Sequence, residues 1–255
     1  MTKQPLGMLV LHGFTSDLNC VTIVEEAVRA QGLPTRVPVL RGHGAASPEA
    51  LRAVTWPDWV ADGQAALDDL LTEVDRAIVF GHSMGGLVAL TLAARNGERI
   101  DSVVAAAAAV QLSSPLAPGR PFGFLIPAVR RLLRNWPMPP NYVDPGALEG
   151  HRNYSYAPIP AVMSLLEFSG ATRKVLPKVS APILILQSRK DATVAPESAE
   201  IIFREVSTPQ GEKRIAWFEK SGHEMFRDIE REAMAQAVAD YVREREKASS
   251  RTRAG

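Results

Sequence analysis

The chain has 255 residues, 46% of them hydrophobic and 22% charged, with a formal net charge of +1; these are values of a globular protein large enough for one sizeable core, and they give no electrostatic ground for a nucleic-acid or strongly acidic partner. A single cysteine, Cys20, excludes an internal disulfide framework, and the longest apolar run, Val103–Val110, is eight residues, far short of the ~20 that span a bilayer. The apolar run Leu6–Leu11 is also too short and too poorly flanked for a signal peptide, so a soluble cytoplasmic protein, a monomer or small homo-oligomer without stable membrane insertion, is expected.

In chain order, short apolar runs alternate with segments of helical period, the pattern of a parallel sheet with crossover helices. A strand Met8–Leu11 runs into the turn His12-Gly13-Phe14. Asp17 or Asn19 can cap a helix reaching Ala30, closed by Gly32 and Pro34. A strand Thr35–Val37 precedes the glycine turn Arg41-Gly42-His43-Gly44. Thr55 and Pro57 open a helix whose Trp56, Trp59, Val60, Leu67, Leu70, Leu71 and Val74 recur at three- and four-residue steps.

The strand Ala77–Phe80 then leads into Gly81-His82-Ser83-Met84-Gly85, a G-x-S-x-G pentapeptide. The pattern alone is weak, since roughly one chain of this length in ten carries it by accident. Its context is specific: an apolar strand before it, and after it a helical pattern with Leu87, Leu90 and Ala94 that ends at Asn96-Gly97. In that setting Gly81 and Gly85 permit a sharp strand-to-helix turn, which exposes the Ser83 hydroxyl and aims the Met84 N–H at the same space.

A strand Ser102–Ala106 follows, and then the rhythm breaks. Strand signals vanish between Gln111 and Lys174, and ten of the chain's 19 prolines fall there. Residues 111–175 therefore read as a cap inserted between core segments 1–110 and 176–247, with 248–255 a disordered polar tail. Within the insertion, Phe122–Trp136 carries Phe122, Phe124, Leu125, Ile126, Val129, Leu132, Leu133 and Trp136, interrupted by Arg130, Arg131 and Arg134. Its apolar side can line a pocket. Its basic side is either a solvated face or one that touches anionic lipid.

The sheet pattern resumes with strands Ile183–Gln187 and Arg214–Phe218, a helix from Pro196 to Val206, and a last helix from Ile229 to about Arg245. A serine hydroxyl needs a base, an acid that orients the base, and donors for oxyanion charge. Asp191 lies in the loop after the first of these strands and His223 in the loop after the second. In a parallel sheet both loops open onto the edge that carries Ser83. Ser83 is thus the expected nucleophile, His223 its base and Asp191 the orienting acid, with Glu197 the nearest rival acid. The N–H groups of Phe14 and Met84 are the expected oxyanion donors. His12 reads as a brace of the oxyanion turn and His43 as architectural, while His82 and His151 show no spacing that suggests catalysis. Cys20 reads as a small apolar filler. No H-E-x-x-H or Cys/His cluster occurs, so neither metal nor cofactor is expected.

With Leu11-His12-Gly13-Phe14-Thr15, Arg41-Gly42-His43-Gly44, Trp56-Pro57-Asp58-Trp59, Gly81-His82-Ser83-Met84-Gly85-Gly86 and Ser221-Gly222-His223 in this order and spacing, the chain resembles the α/β-hydrolase superfamily. More narrowly it is similar to bacterial carboxylesterases and monoacylglycerol lipases. The resemblance implies the α/β-hydrolase fold, a mainly parallel doubly wound sheet with a cap insertion. It also implies the triad Ser83, Asp191 and His223 with oxyanion residues Phe14 and Met84, and a small-molecule ester of short to medium chain as substrate. Thioester, lactone, acyl-transfer or C–C bond chemistry on the same triad stays open, as does a binder without turnover. Dehalogenase and epoxide-hydrolase chemistry resembles members with aspartate at the position of Ser83. One departure is Gln187-Ser188-Arg189-Lys190 before Asp191, where many superfamily members carry glycine.

Overall fold

Six parallel strands form the centre of the molecule, in a computed structural model that describes residues 3–117 and 120–254. In chain order the elements are β1 (Gln4–Leu11), α1 (Thr22–Arg29), β2 (Thr35–Arg36), α2 (Trp56–Glu73), β3 (Val74–His82), α3 (Met84–Asn96) and β4 (Ile100–Ala106). They continue with α4 (Ile126–Leu132), β5 (Asn135–Pro137), β6 (Tyr156–Pro158), α5 (Ile159–Val175), β7 (Ile183–Ser188), α6 (Glu197–Glu205), β8 (Lys213–Phe218) and α7 (Arg231–Ala254). The sheet order is β2-β1-β3-β4-β7-β8, with β5 and β6 paired separately and antiparallel. All six strands expected from the apolar runs exist. Several start earlier than the hydrophobic pattern does, as β3 does at Val74, because pairing with β1 carries the ladder across the polar residues Asp75 and Arg76.

The strands are apolar almost throughout because both faces are covered. Leu9, Leu11, Val79, Val103 and Ile185 point into a core shared with α2, α3, α5 and α6. Met8, Val10, Ile78, Phe80, Val104 and Leu186 point into a second core closed by α1 and α7. The entry to α2 follows the expected chemistry: the Thr55 N–H donates to the Asp58 side chain at 2.9 Å, a capping box with Pro57 in the first turn. At α1 the outcome differs. Asp17 caps only a short 3-10 turn, Leu18–Cys20, and the helix proper begins at Thr22.

The stretch expected as an insertion, residues 111–175, is of two kinds. Its last helix, α5, lies in the main core: Phe168 is fully buried and stacks on Trp56 at 5.2 Å. The Ser169 hydroxyl lies 2.7 Å from the Ala109 carbonyl and 2.8 Å from that of Val110. Helix α5 thus serves as the crossover from β4 to β7, and the segment before it, including α4, β5 and β6, is the part that faces the carboxyl ends of the strands. Within that segment Phe124 and Leu132 are 74% and 80% exposed; the side chains of Val129 and Arg130 lie outside the described residues. At the other end of the chain, α7 continues to Ala254, past the expected end near Arg245 and through most of the polar tail; Gly255 lies outside the described residues. Among the described residues no helix is long and apolar enough to cross a membrane.

Candidate active site

The chain runs outward from β1 to β2, then returns to the other side of β1 to lay down β3. Such a reversal leaves a crevice at the carboxyl ends of the two diverging strands. The register pairs Leu11 with Gly81, so the His12–Thr15 turn and the His82–Met84 turn emerge side by side. Ser83 is held at φ +55°, a conformation non-glycine residues rarely adopt. A Cβ at Gly81 would overlap the Gly85 backbone, and one at Gly85 would overlap the Leu11 carbonyl. The turn can therefore be this tight only with glycine at both positions. Met84 is the first residue of α3, and its N–H is among the donors that a helix leaves without an intrahelical partner.

The acid and base arrive from β7 and β8, which pair through Ser188 and Phe218 at their ends. His223 Nε2 lies 2.9 Å from Ser83 Oγ, and His223 Nδ1 lies 2.8 Å from Asp191 Oδ2. Asp191 Oδ1 accepts from the N–H groups of Thr193 and Val194 at 2.9 and 2.8 Å. Burial works to raise the Asp191 pKa, but the neighbouring His223 and these hydrogen bonds outweigh it and hold the carboxyl below its usual range. Burial works to lower the His223 pKa; Asp191 outweighs it, and the imidazole ends above 6.5. With Asp191 ionised and accepting from Nδ1–H, Nε2 carries a lone pair directed at the Ser83 hydroxyl. Such a set can take a proton from a hydroxyl as it attacks an acyl carbon. Glu197 is instead in the first turn of α6.

Two neutral histidines shape the turn after β1. The Leu40 N–H donates to His12 Nε2 at 3.0 Å, and the Thr15 N–H donates to His43 Nε2 at 3.1 Å. Each ring holds its proton on Nδ1, close to a backbone carbonyl: 2.9 Å from Gly13 O for His12 and 3.1 Å from Leu40 O for His43. Burial depresses both, His43 to about 3, so both keep an acceptor nitrogen at neutral pH. His82 donates from Nε2 to the His223 carbonyl at 3.0 Å and is also depressed to about 3, chiefly by burial. Cys20 is buried and pushed up to about 12, mainly by desolvation, which leaves the thiol inert.

The sequence reading missed a set of positioning groups. Asn141, before α5, accepts through Oδ1 from the His223 N–H at 2.7 Å and the Ala192 N–H at 3.2 Å. One amide thus ties the acid loop to the base loop. Asp228 accepts from the N–H groups of Gly222, Val143 and Asp144 at 2.6 to 2.8 Å, and the Tyr154 N–H donates to the Thr15 carbonyl at 2.9 Å. Nothing in the sequence marks Asn141, which lies 82 positions from His223. Glu224, directly after His223, was open to notice and bears on the site below.

Two adjoining cavities share part of their walls, and Ser83 lines the smaller one. One, of about 260 Å3, is lined by residues such as Leu116, Ile126, Trp136, Val162 and Leu166, with no ionisable side chain among the described lining. The other, of about 50 Å3, includes Ser83 and His223 in its wall together with Asn141, His151, Asn153 and Glu224. Among the described residues no group of three or more His, Cys, Asp or Glu side chains can hold a metal ion.

A family model described as serine aminopeptidase, S33, matches residues 4–230. The chain is 29% identical over 219 residues to the thermostable monoacylglycerol lipase of Bacillus sp. (strain H-257), covering 86% of this chain and 83% of the relative. It is 25% identical over 237 residues to the carboxylesterase of Bacillus subtilis (strain 168), covering 92% of both. Among solved structures, one from the pair LipS and LipT, two metagenome-derived lipolytic enzymes, superposes with a TM-score of 0.85 at 27% identity over 95% of each chain. The monoacylglycerol lipase of Paleococcus ferrophilus shares the fold, with a TM-score of 0.75 at 19% identity over 95% of this chain and 96% of that one.

Proposed function

The chain belongs to the serine aminopeptidase S33 family of α/β-hydrolases, and from that premise we propose that it hydrolyses carboxylic esters through an acyl-enzyme on Ser83. The observation that carries the reading is the continuous line of contacts from Ser83 Oγ through both nitrogens of His223 to Asp191, at 2.9 and 2.8 Å. Ser83 attacks the ester carbonyl as His223 Nε2 takes its proton. The tetrahedral oxyanion is received by the N–H groups of Phe14 and Met84, each worth about 3–4 kcal/mol of transition-state stabilisation. Collapse expels the alcohol, protonated by His223, and a water activated by the same imidazole then releases the acid.

The bond type follows from the two relatives and from the cavities. The curated relatives are named for ester hydrolysis. The described lining of the 260 Å3 cavity offers no acid to pair with a protonated amine; the acid near Ser83 is Glu224, in the smaller cavity. The larger cavity suits an aliphatic acyl chain of short to medium length, monoacylglycerols among the candidates. Residues 111–158 are proposed as the cap that sets this choice. A lone cysteine fits a reducing compartment, and cytoplasmic residence is the setting proposed.

The test pairs two measurements: a fluorophosphonate probe with intact-mass readout, and turnover of p-nitrophenyl esters of increasing chain length. Stoichiometric labelling lost in Ser83→Ala, with turnover of at least one ester, is expected. Absence of both labelling and turnover in folded protein removes the reading.

A further inference from the structure

The two adjoining cavities differ in chemistry, and the difference has a direction. The 260 Å3 cavity is apolar, whereas the 50 Å3 cavity gathers Glu224, Asn153, His151, Asn141 and Thr15. They share Phe14, Leu112, Met138, Pro139, Leu165 and Thr193 in their walls, and Ser83 lines the smaller one, so an ester held at Ser83 extends into the apolar cavity across this shared wall. With the acyl chain in the apolar one, the alcohol half falls in the polar one.

Glu224 is the unusual member of that wall. Its Oε1 accepts from Asn153 Nδ2 at 2.9 Å. Its Oε2 is shielded from solvent and has no hydrogen-bond partner among the described residues. A carboxylate oxygen kept dry without a donor is an expensive arrangement that a bound donor relieves. The same wall also offers a donor. The Tyr142 hydroxyl accepts from Arg227 Nη1 at 3.1 Å and lies 3.0 Å from His151 Nδ1; in the tautomer whose Nδ1 accepts the Tyr142 proton, the neutral His151 ring carries its own proton on Nε2. An ammonium group needs acceptors alone and an anion needs donors alone, but a hydroxyl needs one of each. The volume agrees with a small group: at ~10–15 Å3 for each water-sized centre, the cavity takes a fragment of roughly three to five heavy atoms.

We propose that Glu224 selects the alcohol half of the substrate by accepting a hydrogen bond from a free hydroxyl on the leaving group, so that the preferred substrates are esters of small polyols. The proposal rests on the ester-hydrolase reading and adds the identity of the residue that reads the leaving group. The rival role for Glu224 is electrostatic: its charge lies close enough to raise the basicity of His223, and that effect acts on every ester alike.

A matched pair of substrates separates the two. Glycerol 1-monobutyrate and propyl butyrate carry the same acyl group, and only the first bears hydroxyls. The ratio of their kcat/KM values, measured by acid release in a pH-stat, cancels any change common to both. In the wild type the hydroxylated ester is preferred at least about tenfold, the scale of one hydrogen bond to a charged acceptor. In Glu224→Leu the ratio collapses towards one. In Glu224→Gln, which keeps an acceptor oxygen and loses the charge, it falls to an intermediate value; this variant decides the matter if the leucine variant does not fold. A ratio unchanged within twofold in the variants, or no wild-type preference, overturns the proposal. Failure of the folded wild type to turn over any p-nitrophenyl ester, together with absence of fluorophosphonate labelling, is a separate result and sinks the hydrolase reading itself.

Discussion

Replacing Asn141 with alanine deletes an acceptor that serves two loops at once. Its Oδ1 holds the His223 N–H at 2.7 Å and the Ala192 N–H at 3.2 Å. An unsatisfied buried N–H costs about 1–3 kcal/mol, and the adjoining 50 Å3 cavity lets water recover part of that. A net loss of about 2 kcal/mol is expected, which for a chain of this size lowers Tm by about 4–8 °C. The kinetic effect is larger than the thermal one suggests. The His223 imidazole must stay within hydrogen-bond reach of both Ser83 and Asp191, and a drift of about 1 Å costs on the order of 100-fold. For p-nitrophenyl butyrate, kcat should fall 10- to 100-fold in Asn141→Ala with KM changed by less than a few fold. Asn141→Asp keeps the acceptor and should recover most of the rate. Its added carboxylate beside the imidazolium should also move the acid limb of the pH profile upward. A folded Asn141→Ala enzyme with kcat within twofold of wild type would refute the positioning role, as would an aspartate variant no better than alanine.

Four further outcomes are expected. Because His223 must be neutral to act as base and its pKa is raised by Asp191, kcat/KM should reach half its plateau above pH 6.5; a flat profile down to pH 4 would argue against an imidazole base. Asp191→Asn removes the charge that raises the imidazole and favours the wrong tautomer, so kcat should drop about 10^4-fold, measured by stopped-time ester assay on folded protein. Val162→Trp narrows the apolar cavity and should shift preference from octanoyl towards acetyl p-nitrophenyl esters, read from kcat/KM along the chain-length series. Gly81→Ala forces a Cβ into the Gly85 backbone and should destabilise the fold by at least about 3 kcal/mol, seen as a collapse of Tm or of soluble yield.

Much of the architecture could be read along the chain because its signals are local. An apolar run four to eight residues long, a helix start at Thr55 and Pro57, and glycines two positions either side of Ser83 each constrain only their own neighbourhood. The order Ser83, Asp191, His223 follows from the same reading once the strands are taken as parallel, since every such loop then opens at one edge. Helix α5 was not read from the sequence: proline density marked residues 111–175 as a departure from the sheet pattern, and the apolar residues of α5 form too weak a stripe to say which surface it covers.

What needed the tertiary structure was every relation between loops. The strand order puts β1 beside β3, and only that adjacency sets the His12–Thr15 turn next to the His82–Met84 turn. Asn141 meets both His223 and Ala192 because the segment before α5 folds back over the strand ends, and the same segment brings Asn153 within hydrogen-bond distance of Glu224. Local period and turn chemistry are written in a dozen consecutive residues. Which distant loops share a hydrogen bond depends on sheet order and register, and those exist only once the whole chain has closed.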